Sequence, residues 1–194
     1  VQGSVYNESL GTINSGDEST EFQGNVKNVG TINGGEFYGE VENLLTINGG
    51  KFHGKVTNTN NPYDIQNTGK ITDGEFLGEV VNKNDATTIT GGSFAQQPSG
   101  VDYRTVTFKE DSSANGVLRY VVRGKTVIPP TLMREGYEVS GWHKEDSTVF
   151  DCATTPIPDN IMLIAEWKAI EYSVTVSSST GGTATASKHT ANVG

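Results

Sequence analysis

One cysteine, Cys152, stands in the 194 residues of this chain. That excludes an internal disulfide and a cysteine-based metal cage, and it marks Cys152 as a small packed residue rather than a nucleophile. Arginine is missing altogether from residues 1–98, which hold twelve Asp and Glu and five Lys, a net charge of -7 out of -9 for the whole chain. Phosphate recognition needs a concentrated Lys/Arg footprint, so a nucleic-acid surface is excluded, and the acidity is read as the solubility of a secreted chain. Long apolar runs are absent too. The longest, Ile161-Met162-Leu163-Ile164-Ala165, falls far short of the roughly 20 residues of a spanning helix, so no membrane insertion is expected. His53, His143 and His189 form no zinc spacing, and neither a Gly-x-Ser-x-Gly elbow nor a phosphate loop occurs. No cofactor and no metal are expected.

What the chain has instead is repetition. Phe22, Phe37, Phe52, Phe76 and Phe94 each head a segment, and the first four segments read Phe-x-Gly-x-Val-x-Asn. These four residue types share parity, so in a strand they point to one face while the residues between them face water. Val1-Gln2-Gly3-Ser4-Val5-Tyr6-Asn7 fits the same frame with Val1 in the Phe slot, so the chain is expected to begin inside a coil and to be a fragment. Ile precedes Phe by five in Ile32-Asn33-Gly34-Gly35-Glu36-Phe37 and its counterparts. The glycines there read as a turn from a short Ile strand into a longer Phe strand, giving two strands and two corners per coil.

Stacked at about 4.8 Å, the spacing of hydrogen-bonded strands, such coils form a parallel β-solenoid. Its expected core is a Phe ladder, a Val ladder (Val26, Val41, Val56, Val80) and an Ile ladder (Ile13, Ile32, Ile47, Ile71, Ile89). The inward Gly24, Gly39, Gly54 and Gly78 are expected to leave room for the Ile side chains. Asn7, Asn28, Asn43, Asn58 and Asn82 are expected to bond their own kind from coil to coil. Outward, Glu21, Glu36, Lys51 and Glu75 form one charged rung, and Asn25, Glu40, Lys55 and Glu79 a second, with each lysine between glutamates. A further outward column holds Gln23, Tyr38, His53, Leu77 and Ala95. Its aromatic and imidazole rings make Tyr38 and His53 the candidate saccharide contacts.

Enzymatic readings meet obstacles. Lyase chemistry on polyuronates needs a strong base beside a calcium cluster, and the repeats carry no arginine. Glycosidases need two carboxylates in a cleft, whereas these glutamates recur regularly on a convex face. Gly34-Gly35-Glu36-Phe37-Tyr38-Gly39-Glu40-Val41-Glu42 lacks the glycine and aspartate of calcium-binding nonapeptides.

After Phe94 the pattern stops, and Gln96-Gln97-Pro98-Ser99-Gly100 reads as an exit from the solenoid. Short alternating strands follow at Val106-Thr107-Phe108-Lys109, Leu118-Arg119-Tyr120-Val121-Val122 and Met162-Leu163-Ile164-Ala165-Glu166-Trp167. Val106-Thr107-Phe108, Gly124-Lys125-Thr126-Val127, Pro129-Pro130, Arg134-Glu135-Gly136-Tyr137-Glu138-Val139-Ser140-Gly141-Trp142 and Leu163-Ile164-Ala165-Glu166-Trp167 together resemble the Listeria–Bacteroides repeat, the B-repeat type found in internalin B. Val139 replaces the family's usual aromatic, and Asp111 to Gly116 is a looser version of its first loop. The resemblance implies a small β-grasp-like module of extracellular bacterial proteins, without catalytic residues. Trp142 and Trp167 are read as core residues. Tyr172-Ser173-Val174-Thr175-Val176 and Gly181-Gly182-Thr183-Ala184-Thr185-Ala186 look like the first hairpin of a further, truncated surface repeat.

The chain is therefore expected to be mainly β, with β-solenoid repeats over 1–98, a linker over 99–104, a B-repeat-like β-grasp module over 105–169 and a truncated repeat over 170–194. Its expected function is that of a non-catalytic structural or adhesion fragment of a modular secreted bacterial surface protein. It would be extracellular, attached to the wall or cell surface through regions outside this chain, and would meet a host-surface or cell-wall glycan or protein. The alternatives are a carbohydrate-binding β-helix and a remnant of a polysaccharide-degrading β-helix enzyme.

Overall fold

A computed structural model describes residues 1–14, 20–62, 68–85, 88–173, 175, 180–182 and 190–192. Among these the chain is all-β, and its first half is a stack of short parallel strands. The first coil contributes β1 (Val5–Asn7) and β2 (Thr12–Ile13), and the second β3 (Glu21–Phe22), β4 (Val26–Asn28) and β5 (Thr31–Ile32). The third supplies β6 (Glu36–Phe37), β7 (Val41–Asn43) and β8 (Thr46–Ile47), and the fourth β9 (Lys51–Phe52), β10 (Val56–Asn58) and β11 (Lys70–Ile71). β12 (Glu75–Phe76), β13 (Val80–Asn82) and β14 (Ser93–Phe94) complete the stack.

Like residues sit opposite like residues in all three resulting sheets: Val26, Val41, Val56 and Val80 in β1-β4-β7-β10-β13, Ile13, Ile32, Ile47 and Ile71 in β2-β5-β8-β11, and the phenylalanines in β3-β6-β9-β12-β14. Phe rings stack with centroids 4.7, 4.8, 4.8 and 5.1 Å apart from Phe22 to Phe94. Phe37, Phe52, Phe76, Phe94, Ile32, Ile47 and Ile71 are wholly buried, and each contributes roughly 1.5–3 kcal/mol. Ile89 extends its column by a bridge to Ile71. The extra residues of the fourth coil fall between Asn58 at the end of β10 and Lys70 at the start of β11, where Asn60 bridges Thr68.

Three features differ from the sequence reading. Each full coil has three strands, because Phe-x-Gly-x-Val-x-Asn bends after the Phe strand and sends Val and Asn into a separate sheet. The inward glycines mark that bend, and they do not make room for isoleucine. A Cβ on Gly39 would lie 2.4 Å from the Gly24 carbonyl oxygen, and one on Gly54 2.2 Å from that of Gly39, so only glycine lets successive coils approach there. The turn before Phe37, Phe52, Phe76 and Phe94 is as expected, with Gly35, Gly50, Gly74 and Gly92 at φ of 111°, 114°, 136° and 110°, the half of backbone space that side chains disfavour. Finally, Lys51 does stand between Glu36 and Glu75 in the register, as expected, but the close ion pairs form on one side only. Lys51 meets Glu75 at 3.6 Å and Lys55 meets Glu79 at 2.8 Å, each toward the following coil, while Lys27 and Glu42 form an unforeseen pair at 3.0 Å.

The asparagines stack as anticipated and carry a direction. Each side-chain Nδ2 donates to the Oδ1 of the next: Asn7 to Asn28, Asn28 to Asn43 and Asn43 to Asn58 at 2.7 Å, then Asn58 to Asn82 at 3.0 Å. The same amides also donate to backbone carbonyls of the next coil, at Thr31, Thr46 and Lys70. This satisfies buried polar groups that would otherwise be costly.

The second half adds β15 (Tyr103–Lys109), β16 (Val117–Val122), β17 (Tyr137–His143) and β18 (Ile161–Ala169). They lie in the order β17-β18-β15-β16, with β15 and β18 parallel and the other neighbours antiparallel. A second core gathers Val106, Phe108, Val121, Ile157 and Leu163 around Trp142, whose ring meets Phe108 edge-on at 4.6 Å. Trp167 packs against this core and donates from Nε1 to the Glu110 carbonyl at 3.0 Å. Cys152 is buried there, and burial pushes its thiol up to about 11. The segment read as a linker lies along the last coil: Ser99 bridges Val81, and Val101 packs against the solenoid core. β19 (Glu171–Ser173) pairs antiparallel with β20 (Thr190–Asn192). Val174, Val176 and the strand expected over Thr183 to Ala186 lie outside the described residues.

Candidate functional site

β6 and β9 set the geometry of the candidate site, because residues flanking an inward phenylalanine must point out. Glu36 and Tyr38 thus project from one coil on either side of Phe37, and Lys51 and His53 from the next on either side of Phe52. The structure brings the two predicted residues together: the Tyr38 and His53 rings stack at 4.4 Å with 5° between their planes. His53 also reaches diagonally to Glu36, Nε2 to Oε1 at 2.6 Å. Sequence reasoning placed Glu36 on a charged rung and missed this bond. The signal was available, since a residue two positions beyond the directly opposite partner is the diagonal neighbour.

Electrostatics follow from that contact. The hydrogen bond from His53, opposed by burial, holds the Glu36 carboxyl below the usual carboxylate range. Removal from solvent, and then the charge of Glu36, push the Tyr38 hydroxyl up. Stacking occupies one face of each ring, so what Tyr38 and His53 offer outward is mainly edge: a hydroxyl, an imidazole nitrogen and the Glu36 carboxylate. Such a set donates to and accepts from hydroxyl-rich ligands. Among the described residues no three His, Cys, Asp or Glu side chains converge as metal ligands. No helix there is long and apolar enough to cross a membrane.

Beside this cluster runs a cleft of about 460 Å³ along the glycine corners, lined also by Glu36, Lys51 and Glu75 and, from the second half, by Ile128. Arg119 lies nearby on β16, its side chain only 9% exposed, with Nη2 4.0 Å from Glu75 and a buried Nε that has no partner among the described residues. Burial lowers the pKa of its guanidinium, and Glu75 offsets part of that. No family model matches this chain, and neither does any curated protein or solved structure.

Proposed function

We propose that the chain is a non-catalytic structural and adhesion segment of a modular, secreted bacterial surface protein, in which a stiff β-solenoid carries a B-repeat-like, β-grasp-like module. The observation that carries this reading is continuity. The Phe-bearing sheet runs without a break through β14 into β16, giving nine hydrogen-bonded strands across both halves. A solenoid whose coils touch only their neighbours is a spacer by construction, and a shared sheet transmits its orientation to the module. The order β17-β18-β15-β16, with its parallel central pair, supports the grasp-like assignment.

The test is to place the chain between a wall anchor and an epitope on a bacterial surface, and to assay the purified chain on polyuronates and on a glycan array. A spacer displaces the epitope outward by the length of the rod and turns over no polysaccharide. Turnover would refute the reading. The Glu36–Tyr38–His53 cluster favours a second reading, a carbohydrate-binding solenoid. Saturable glycan binding abolished by Tyr38→Ala or His53→Ala would establish it.

A further inference from the structure

Three Asn-Gly pairs occur in the chain, at Asn33-Gly34, Asn48-Gly49 and Asn115-Gly116. An Asn followed by Gly is the pair most open to attack on the side-chain amide by the next backbone nitrogen, because no side chain shields that nitrogen. The fold treats the three differently. Asn33 donates from Nδ2 to Asn14 Oδ1 at 2.8 Å and accepts at Oδ1 from Asn48 Nδ2 at 3.0 Å. Asn48 in turn accepts from Thr72 Oγ1 at 2.8 Å. This outer ladder runs opposite to the inner one, its donors pointing toward the first coil, and it clamps both ends of the two corner amides.

Asn115 has no such clamp. It lies exposed in the loop of the β15–β16 hairpin, and among the described residues no hydrogen bond engages its side chain or the Gly116 nitrogen. A Cβ on Gly116 would lie 2.2 Å from Thr107 Cγ2, so a shielding side chain there would require Thr107 to turn aside. We propose that Asn115 is a spontaneous deamidation site of the folded protein, and that the outer amide ladder keeps Asn33 and Asn48 inert. In the reaction the Gly116 nitrogen loses its proton to solvent base and bonds to Asn115 Cγ. The Cγ–Nδ2 bond breaks, Nδ2 takes a proton from solvent and leaves as ammonia, and a succinimide ring remains. Water opens the ring at either carbonyl to give Asp or isoAsp. No electrons change hands, and the hairpin gains one negative charge close in sequence to Asp111.

The experiment incubates the intact chain at mildly alkaline pH, with and without denaturing urea, and follows the three sites by peptide mass spectrometry and enzymatic isoaspartate methylation. In the folded chain Asn115 converts at least about tenfold faster than Asn33 or Asn48, whose amides must first surrender two hydrogen bonds each. In urea the advantage shrinks toward the intrinsic difference between an Ala-Asn-Gly and an Ile-Asn-Gly sequence. Thr72→Val removes the hydroxyl that holds Asn48 and raises the Asn48 rate in the folded state. Equal folded-state rates at the three sites, an Asn115 advantage as large in urea as in buffer, or a Thr72→Val chain with an unchanged Asn48 rate would each overturn the proposal.

Discussion

Asn43→Ala tests whether the inner amide ladder is a structural necessity or a decoration of the hydrophobic columns. Asn43 is fully buried, accepts from Asn28 at 2.7 Å, and donates to Asn58 Oδ1 at 2.7 Å and to the Lys70 carbonyl at 3.1 Å. Truncation leaves Asn58 Oδ1 and the Lys70 carbonyl without this donor, while Asn28 keeps its bond to Thr46. Each buried group orphaned costs about 1–3 kcal/mol, so the variant should lose about 3–5 kcal/mol once the Asn28 contribution is added. Thr57→Ala, on the outward side of the same β10 strand as Asn58, is the control and should stay within about 0.5 kcal/mol. Urea unfolding reads the difference. With a slope of about 2 kcal/mol/M, the Asn43→Ala midpoint falls by about 2 M at constant slope. A loss under about 1 kcal/mol with the slope unchanged would show that the stacked Phe, Val and Ile columns alone hold the coils in register.

Gly39→Ala should destabilise by more than about 2 kcal/mol, since its Cβ meets the backbone of the neighbouring coil and a main-chain atom cannot swing aside; a near-neutral Tm would disprove the close-approach argument. Arg119→Met should be neutral or stabilising, because the guanidinium has one weak ionic partner and an unmet Nε while Glu75 keeps Lys51; a large drop in unfolding midpoint would count against that. Glu36 has a folded pKa below its unfolded one, so its contribution is present above the unfolded value and fades as pH falls through the folded value. Stability profiles of the parent and Glu36→Gln should therefore converge in acid, and curves that stay parallel across that window would refute the link. Cys152, buried and with its thiol raised to about 11, should resist iodoacetamide at neutral pH until the chain unfolds. Rapid labelling of the native protein would contradict its placement.

The columns were legible in the sequence because identical residues recur with the same parity, and stacking like on like is the arrangement that buries them all. The third corner was not. Phe37-Tyr38-Gly39-Glu40-Val41-Glu42-Asn43 keeps its parity straight through a bend, so an inside-outside count cannot tell one long strand from two short ones. Only the coil-to-coil contact at Gly39 distinguishes them. The outer ladder left a trace, with Asn14, Asn33, Asn48 and Thr72 each one residue after a ladder isoleucine. The Glu36–His53 bond left less, because it runs across coils whose spacing must be known first. Arg119 could not be placed at all from local sequence, since its neighbour Glu75 belongs to the other half of the chain.

β16 shows why the boundary between the halves resisted a reading from sequence alone. In Val117-Leu118-Arg119-Tyr120-Val121-Val122 almost every residue is apolar, which an isolated half-buried strand does not require. The structure gives each face its own purpose. Tyr120 pairs with Phe94 and, with Val122, packs against the solenoid core, while Val121 pairs with Ser93 and belongs to the second core. An open parallel stack would leave the β14 edge bare, a template for association with other strands. Antiparallel β16 covers that edge with a strand whose other side is already committed elsewhere. A strand that serves two cores at once cannot rotate about its own axis without emptying both, so a hinge at this junction would cost much of the burial on either side.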